Sequence, residues 1–553
     1  MLAAAACGLL GWGAVDASAA TLPGSSDAGR VDIEHKQAAP EGPPPAAAMP
    51  EILLPGAEIP KGAEKVKVTL QDIDLEGVTA FPKEEIEALY RPYIGKQVTL
   101  DTVWHIADLI TAHYQKAGYF LSRAFVPPQT IKDGILVIHV VEGYVGEVQF
   151  DDPLAESRIV SGLTEQITAE RPLTSRTLEG VMLRLNDLPG VSLRSVIEPL
   201  EDERKKDGAV KLVLVRADKP GKGSVSFDNY NSRFLGPYEG IATYKTSLLP
   251  LQETSVSGLS SIPADKLQYI TASHTIAITA DLSAQLYAGY TKANPGFTLK
   301  PEQVESDARN IGLSIKEQFI RQRQENLSAS LIFDAKDSNS DVLQAPLTRD
   351  RIRAARANLS YDRADPLGGY NYASLTVSRG LPVLNANSPG EPLISRLGAE
   401  PDFTKLDYSL THFQPLVPDW TSVASVSGQK ASGPLYSPEQ FGYGGQAFGR
   451  AYDPSEILGD SGVAGSLELR YGGLPPLRGA VFTPFGFYDI GKVWSDGAAA
   501  TSGASAGLGV RADSGFGLTG ALTVAEPLTR PLADPQYGNG KSPRCLFQVM
   551  YGF

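Results

Sequence analysis

In the second half of the chain, apolar and polar residues alternate with a period of two. Leu282, Ala284, Leu286, Ala288 and Tyr290 interleave with Ser283, Gln285, Tyr287 and Gly289. Ala357, Leu359 and Tyr361 interleave with Asn358, Ser360 and Asp362, and Ala373, Leu375 and Val377 with Ser374, Thr376 and Ser378. That period belongs to strands with one apolar and one polar face. Loops rich in Gly, Pro, Asn and Asp separate the runs. A barrel facing lipid outside and water inside carries this dyad pattern. A soluble sandwich alternates as well, but its inward positions would hold large aliphatics, whereas here alanine, tyrosine and leucine share the apolar face. Residues 219–553 form a stretch of about 335 residues, room for about 16 antiparallel strands when each membrane strand takes about 9–11 residues. On the last strand, Cys545, Phe547, Val549, Tyr551 and Phe553 share one face, with phenylalanine as the final residue.

Residues 66–143 read differently. Val66, Val68 and Leu70 alternate as a strand, and Pro82 opens a short helix that ends before Pro92. Val103, Ile106, Ile110, Tyr114 and Ala117 recur at helical spacing and stop at Gly118. Phe120 to Val126 is extended, and Lys132-Asp133-Gly134 turns the chain into the strand Ile135–Val141, with Asp-Gly as a hairpin signal. Residues 144–218 repeat the order. Val145 to Phe150 is a strand, Asp152 to Leu163 helical, and Leu178, Val181, Met182 and Leu185 form the face of a second helix closed by Pro189-Gly190. Val191–Glu198 and Val210–Val215 make a hairpin with a charged tip at 201–207. The expected architecture is therefore two tandem α+β modules followed by an all-β transmembrane barrel.

Composition narrows the function. Fifty basic against 63 acidic residues give a net charge of −13, which argues against a nucleic-acid partner in need of a basic face. Residues 1–20 have an apolar centre and an Ala17-Ser18-Ala19 cleavage site, the features of a secretory signal, but lack the usual basic start. A leader and a flexible apolar tail both remain open. Residues 21–65 are Pro/Ala/Gly-rich and read as a linker. Past the leader no apolar run is long enough for a membrane helix, which leaves a closed barrel as the way to span lipid. Cys7 and Cys545 are the two cysteines, so no disulfide is expected in the mature chain. Serine-hydrolase, zinc-protease and phosphate-loop motifs are missing, and His105, His113, His139, His274 and His412 read as structural or surface residues. No enzyme, cofactor or metal site is expected.

One loop draws the eye. Phe441 to Tyr471 is glycine-rich, carries Arg450, and empties into alternation from Ser466 onward. About forty residues later Asp489 lies in the middle of the strand Phe485–Trp494. Chemistry alone leaves Arg450 either a solvated loop cation or the partner of that carboxylate. Gly449-Arg450-Ala451-Tyr452 resembles the Val-Arg-Gly-aromatic signature of the sixth extracellular loop in POTRA-barrel outer-membrane transporters. Phe487-Tyr488-Asp489-Ile490-Gly491 resembles the Phe-x-Asp-x-Gly strand motif that receives it. Gly449 and Ala451 depart from the usual valine and glycine. The nearest resemblance is to the TpsB transporters of two-partner secretion, the ShlB/FhaC/HecB haemolysin secretion/activation type. The tandem modules look like POTRA domains, and Val140-Val141-Glu142-Gly143-Tyr144-Val145 resembles the end of the first.

The resemblance implies a loop at 441–465 folded into the barrel, with Arg450, Tyr452, Phe487, Asp489 and Gly491 locking it to the wall. It implies a plug helix in the linker, for which 31–37 is the one short candidate. It also implies that Phe547, Val549, Tyr551 and Phe553 are read by the barrel-assembly machinery. The function implied is a pore in the Gram-negative outer membrane, its modules in the periplasm, that recognises a large TpsA-like exoprotein and secretes it without nucleotide. The partners are the exoprotein's N-terminal domain, the assembly machinery and outer-membrane lipid. A POTRA-barrel assembly or insertase factor is the alternative. A plain porin would not need the modules.

Overall fold

The apolar positions of residues 63–143 gather into one core. In a computed structural model, which describes residues 22–31, 51–52, 63–131, 133–200, 208–217, 221–533 and 539–553, strand β1 (Glu51–Ile52) belongs to the second module below. The first module comprises β2 (Lys67–Thr69), β3 (Asp72–Glu76), α1 (Lys83–Tyr90), β4 (Gln97–Thr99), α2 (Leu100–Lys116), β5 (Arg123–Phe125) and β6 (Ile135–Val141). Ile86 and Tyr90 of α1 and Val103, Ile106, Ile110 and Tyr114 of α2 close over Ile73, Leu136 and Ile138 of the sheet β3-β6-β5. Their three- and four-residue spacing puts them on one face of each helix. Helix α2 ends where Gly118 takes a φ of +97°, and Tyr119 N–H bonds back to the Tyr114 carbonyl at 2.9 Å.

The opening strand differs from expectation. The alternation at 66–70 marks β2, which pairs only with β4. The main-sheet strand is β3, parallel to β6. Asp72, Asp74 and Glu76 are exposed at this edge of the sheet, so only Ile73 and Leu75 carried an apolar signal. Charges on an edge strand guard against stray pairing.

The second module comprises β7 (Tyr144–Gln149), α3 (Arg158–Ala169), α4 (Ser175–Asp187), β8 (Leu193–Pro199) and β9 (Ala209–Arg216), in a sheet ordered β1-β8-β9-β7. Helix α3 starts later than Asp152 because Pro153–Glu156 forms a 3₁₀ turn, after which Ser157 Oγ caps the Ile159 N–H at 3.3 Å. It runs on to Ala169 rather than Leu163. The hairpin tip at 201–207, the leader at 1–20 and most of the 31–37 plug candidate lie outside the described residues.

Glu142 fastens the end of the first module to its own body. Its carboxylate accepts the N–H groups of Thr79 (2.7 Å) and Ala80 (2.8 Å), the Thr79 hydroxyl, and the Tyr114 hydroxyl (2.7 Å). Desolvation pushes the Glu142 pKa upward, but these donors favour the ionised form and win, leaving it below the ordinary glutamate value. One residue on, Gly143 N–H reaches Ser122 Oγ (3.1 Å), and its carbonyl accepts Leu173 N–H (3.0 Å).

Sixteen antiparallel strands then form a closed barrel. They begin with β10 (Gly221–Asp228), β11 (Glu239–Thr246), β12 (Gln252–Ser261), β13 (Leu267–Ala277) and β14 (Leu282–Ala293). The long strands β15 (Glu305–Arg321), β16 (Glu325–Val342) and β17 (Ala345–Ala364) follow, with β18 (Tyr370–Gly380), β19 (Thr404–Val417) and β20 (Trp420–Ala431). The hairpin β21 (Phe441–Tyr443) and β22 (Ile457–Gly459) stands apart from the wall. The wall resumes with β23 (Ser461–Tyr471), β24 (Val481–Trp494), β25 (Thr501–Asp513), β26 (Leu518–Pro527) and β27 (Arg544–Gly552), which pairs back onto β10.

Register places Leu331 beside Ala357, Leu359 beside Leu375 and Leu467 beside Tyr488 on the outer face. Leu331 is 67% and Leu508 71% exposed, as the lipid face of a barrel requires. Asp187 of the second module pairs with Arg321, whose Nη2 donates to Oδ1 at 2.9 Å, and Leu251, Ala277 and Ala280 pack on that module's core. The turns that touch the module therefore mark the periplasmic mouth.

Candidate functional site

The barrel holds an apolar core of its own. Phe441, Tyr443, Ala451, Tyr452 and Ile457 of the loop 432–460 pack against Ala464, Phe485, Phe487 and Val493 of the wall. The loop turns back through Gly444, at φ +120°, where a Cβ would lie 2.1 Å from the Asp453 carbonyl oxygen. Only glycine fits that crossing. The wall strand β23 begins at Ser461, five residues before the alternation became visible, because Gly462 and Gly465 interrupt its pattern.

Arg450 sits at the tip. Its Nε is 3.5 Å from Asp489 Oδ2, its Nη1 donates to Glu468 Oε2 at 2.8 Å, and its Nη2 to Ser466 Oγ at 3.1 Å. The guanidinium carbon lies 3.9 Å from the centre of the Phe487 ring, close enough for a cation–π contact. Asp489 is fully buried and binds both backbone and serine hydroxyls, Ser505 Oγ among them at 3.4 Å. Its Oδ2 accepts the N–H groups of Gly449 (3.2 Å) and Arg450 (3.1 Å), and its Oδ1 the Ser466 hydroxyl (2.7 Å). The fork thus grips Glu468, while Asp489 cradles the loop's main chain. Glu468 also receives Arg470 Nε and Arg511 Nη1, each at 2.7 Å.

Gly491 and Tyr452 take other parts than a direct contact. The space above Gly491 is filled by Tyr443, 2.2 Å from where a Cβ would stand. Tyr452 is buried and its hydroxyl donates to the carbonyls of Ala504 (3.2 Å) and Arg530 (3.1 Å). At the closing strand, Val549, Tyr551 and Phe553 are exposed on the outer face and Phe547 is half-buried beside Phe227, ring centres 5.4 Å apart.

Strands β17 and β19, on the other flank of β20, hold the loop too. Glu439 receives Arg356 Nη2 at 2.7 Å and Lys405 Nζ at 2.9 Å. Residues 22–31, read as linker, lie inside the barrel. Buried Arg30 donates to the carbonyls of Ser437 (2.7 Å) and Gln440 (3.0 Å), and Lys336 Nζ donates to the Gly29 carbonyl at 3.0 Å. Sequence reasoning missed Glu439, Arg356, Lys405 and Arg30, which lie in no motif. Glu468, Arg470 and Ser466 had a signal, since they alternate with Leu467 and Leu469 on one strand. A cavity of about 510 Å³ below the tip is lined by Arg450, Glu468, Arg470, Arg511, Thr483 and Thr523. Among the described residues no cluster of His, Cys, Asp and Glu could hold a metal ion, and no helix is long and apolar enough to cross a membrane.

Comparison with known proteins agrees with this layout. The profile of the haemolysin secretion/activation protein ShlB/FhaC/HecB family matches residues 208–512, and that of the POTRA domain, ShlB-type, residues 68–143. The heme/hemopexin transporter protein HuxB of Haemophilus influenzae (strain 86-028NP) is 24% identical over 414 residues, 74% of this chain and 72% of its own. The outer membrane transporter CdiB of Dickeya dadantii (strain 3937) is 22% identical over 500 residues, 84% of this chain and 83% of its own. The solved structure of CdiB from Escherichia coli superposes with a TM-score of 0.63 at 19% identity, over 90% of this chain and 93% of that one.

Proposed function

Since the chain belongs to the ShlB/FhaC/HecB family of haemolysin secretion/activation proteins, an outer-membrane transporter with periplasmic POTRA modules, we propose how it captures and passes its exoprotein. Residues 66–143 and 144–218 act as two POTRA modules that take the exoprotein's N-terminal domain as an added strand, with main-chain bonds giving affinity and side-chain pockets selectivity. The chain enters at the periplasmic mouth, where Arg184, Asp187, Lys316, Arg321, Asn358 and Asp362 line a cavity of about 560 Å³.

One observation carries the reading of the lumen. The loop that fills it is held by ion pairs and backbone hydrogen bonds, around Arg450, Asp489 and Glu468 at β23 and β24 and around Glu439 at β17 and β19. Such a plug is stable at rest and can be displaced without breaking a covalent bond. Movement outward is driven by folding outside the cell, not by nucleotide. The cargo is a large haemolysin- or adhesin-like exoprotein. The leader is cleaved after Ala19, and Phe547, Val549, Tyr551 and Phe553 direct assembly into outer-membrane lipid.

The two modules close two apolar cores between them, Leu121 of the first lying in the core of the second, so residues 63–217 can be tested together as a soluble fragment. It is expected to retain the N-terminal domain of an exoprotein encoded beside the transporter gene. Retention of the barrel-assembly complex in place of any such exoprotein would turn the reading toward an assembly factor.

A further inference from the structure

The barrel closes on its shortest ladder. Strands β10 and β27 share five residue pairs, Ser224↔Gly552 through Asp228↔Gln548, whereas the adjoining ladders, Gly221↔Thr246 through Asp228↔Glu239 and Leu518↔Tyr551 through Ala525↔Arg544, run to eight each. Above the five pairs, the Asn229 side chain continues the ladder. Its Nδ2 donates to the Cys545 carbonyl (2.9 Å) and its Oδ1 accepts Phe547 N–H (2.7 Å). Beyond that, the two sides of the seam meet through a residue that belongs to neither. Asp453, three residues past Arg450 in the loop, is fully buried. Its Oδ2 accepts Arg233 Nε at 2.6 Å, and its Oδ1 lies 3.1 Å from Arg544 Nη2. Arg233 follows β10 and Arg544 opens β27. Glu456 supports the cluster, accepting Asp453 N–H (2.9 Å) and Ala533 N–H (2.7 Å), and lies 3.6 Å from Arg233 Nη2.

We propose that Asp453 is a positioning residue that ties the inward-folded loop to the closing seam, so that a seated loop holds the first and last strands together at their extracellular end. The physics is a shared counter-ion. Each side of the seam presents a guanidinium, and Asp453 of the loop lies against both, with Glu456 of the same loop as a second counter-ion for Arg233. Withdrawing the loop tip withdraws these carboxylates and sets two like charges across the shortest ladder, where little water screens them. Seating at Arg450 and closure of the seam are thereby coupled. The inference rests on the loop being displaced in transport, but its test is made on the resting protein and needs no secretion, so the two readings fail separately.

The test is hydrogen–deuterium exchange of the full chain in detergent micelles. Asp453→Asn keeps the size and removes the charge. Amides of residues 224–228 and 548–552 are expected to exchange about tenfold faster or more, while β19 and β20 keep their rates. Adding Arg233→Gln and Arg544→Gln to Asp453→Asn removes the repulsion and is expected to slow the seam again. A passive filler role would give no such recovery. Unchanged seam exchange in folded Asp453→Asn, or a triple variant no slower than the single one, overturns the proposal. Should Asp453→Asn fail to insert, Arg544→Gln alone serves: it is expected to speed exchange at the seam by a smaller factor, and no change there overturns the proposal equally.

Discussion

At Glu468 three guanidinium groups, from Arg450, Arg470 and Arg511, converge on one carboxylate inside the barrel. Removing that charge leaves three cations with a single shared acceptor lost, and breaking a buried pair typically costs about 3–5 kcal/mol. Glu468→Gln is therefore expected to lower thermal stability and abolish secretion. Asp489→Asn should be milder, because an amide oxygen still accepts the Gly449 and Arg450 N–H groups. Melting curves of the two purified variants decide the order, and a lower melting point for Asp489→Asn would contradict it. The geometry also predicts that exchanging the charges, Arg450→Asp with Asp489→Arg, does not restore secretion. Arginine at 489 offers no acceptor to the loop's main chain, and aspartate at 450 faces Glu468. Gly491→Ala drives a methyl into the Tyr443 ring, an overpacking worth about 1–3 kcal/mol. Its secretion defect should be relieved by Tyr443→Leu in the same chain, which a secretion assay of the double variant reads directly.

Between elements, the Glu142 node makes the periplasmic half pH-sensitive. The folded pKa is below the unfolded value, so the stabilisation is complete above the ordinary glutamate range and fades as pH falls through the folded value. Chemical unfolding of residues 63–217 should show a midpoint that drops below about pH 4.5 more steeply than that of Glu142→Gln. Parallel slopes would mean that the node adds nothing. The same scale explains what was legible beforehand. Helices α1, α2 and α4 were readable because burial left a clean three- and four-residue period. Barrel strands were readable because lipid outside and water inside impose a strict alternation. Strand β3 was hidden by its own acidic edge, and the start of β23 by two glycines. The motif residues Arg450 and Asp489 could be paired by resemblance, but not Glu468 as the stronger partner of the fork. That depends on which of two inward carboxylates the tip reaches. Arg30 was unreadable because it bonds two carbonyls and the Ser455 hydroxyl, all more than four hundred residues away.

For the whole molecule, the occupied lumen predicts a modest conductance. Removing residues 446–456 joins β21 to β22 through Gly444-Gly445 and leaves the wall intact. Single-channel conductance in planar bilayers is expected to rise, and an unchanged value would mean that the loop does not obstruct the current. The wall is also uneven. Strand β17 has 20 residues and the closing strands β10 and β27 have 8 and 9. At about 3.4 Å per residue and a tilt of about 40°, β17 stands about 50 Å tall against an apolar band of about 25 Å. The hairpin β16–β17 therefore rises well clear of the lipid, and its turn at Leu343-Gln344 is among the outermost points of the chain. A short peptide tag inserted there should be bound by antibody on intact, unpermeabilised cells without loss of secretion. The tall side of the barrel is thus the transporter's natural epitope, a handle by which a closed outer-membrane machine can be counted and pulled from outside the cell.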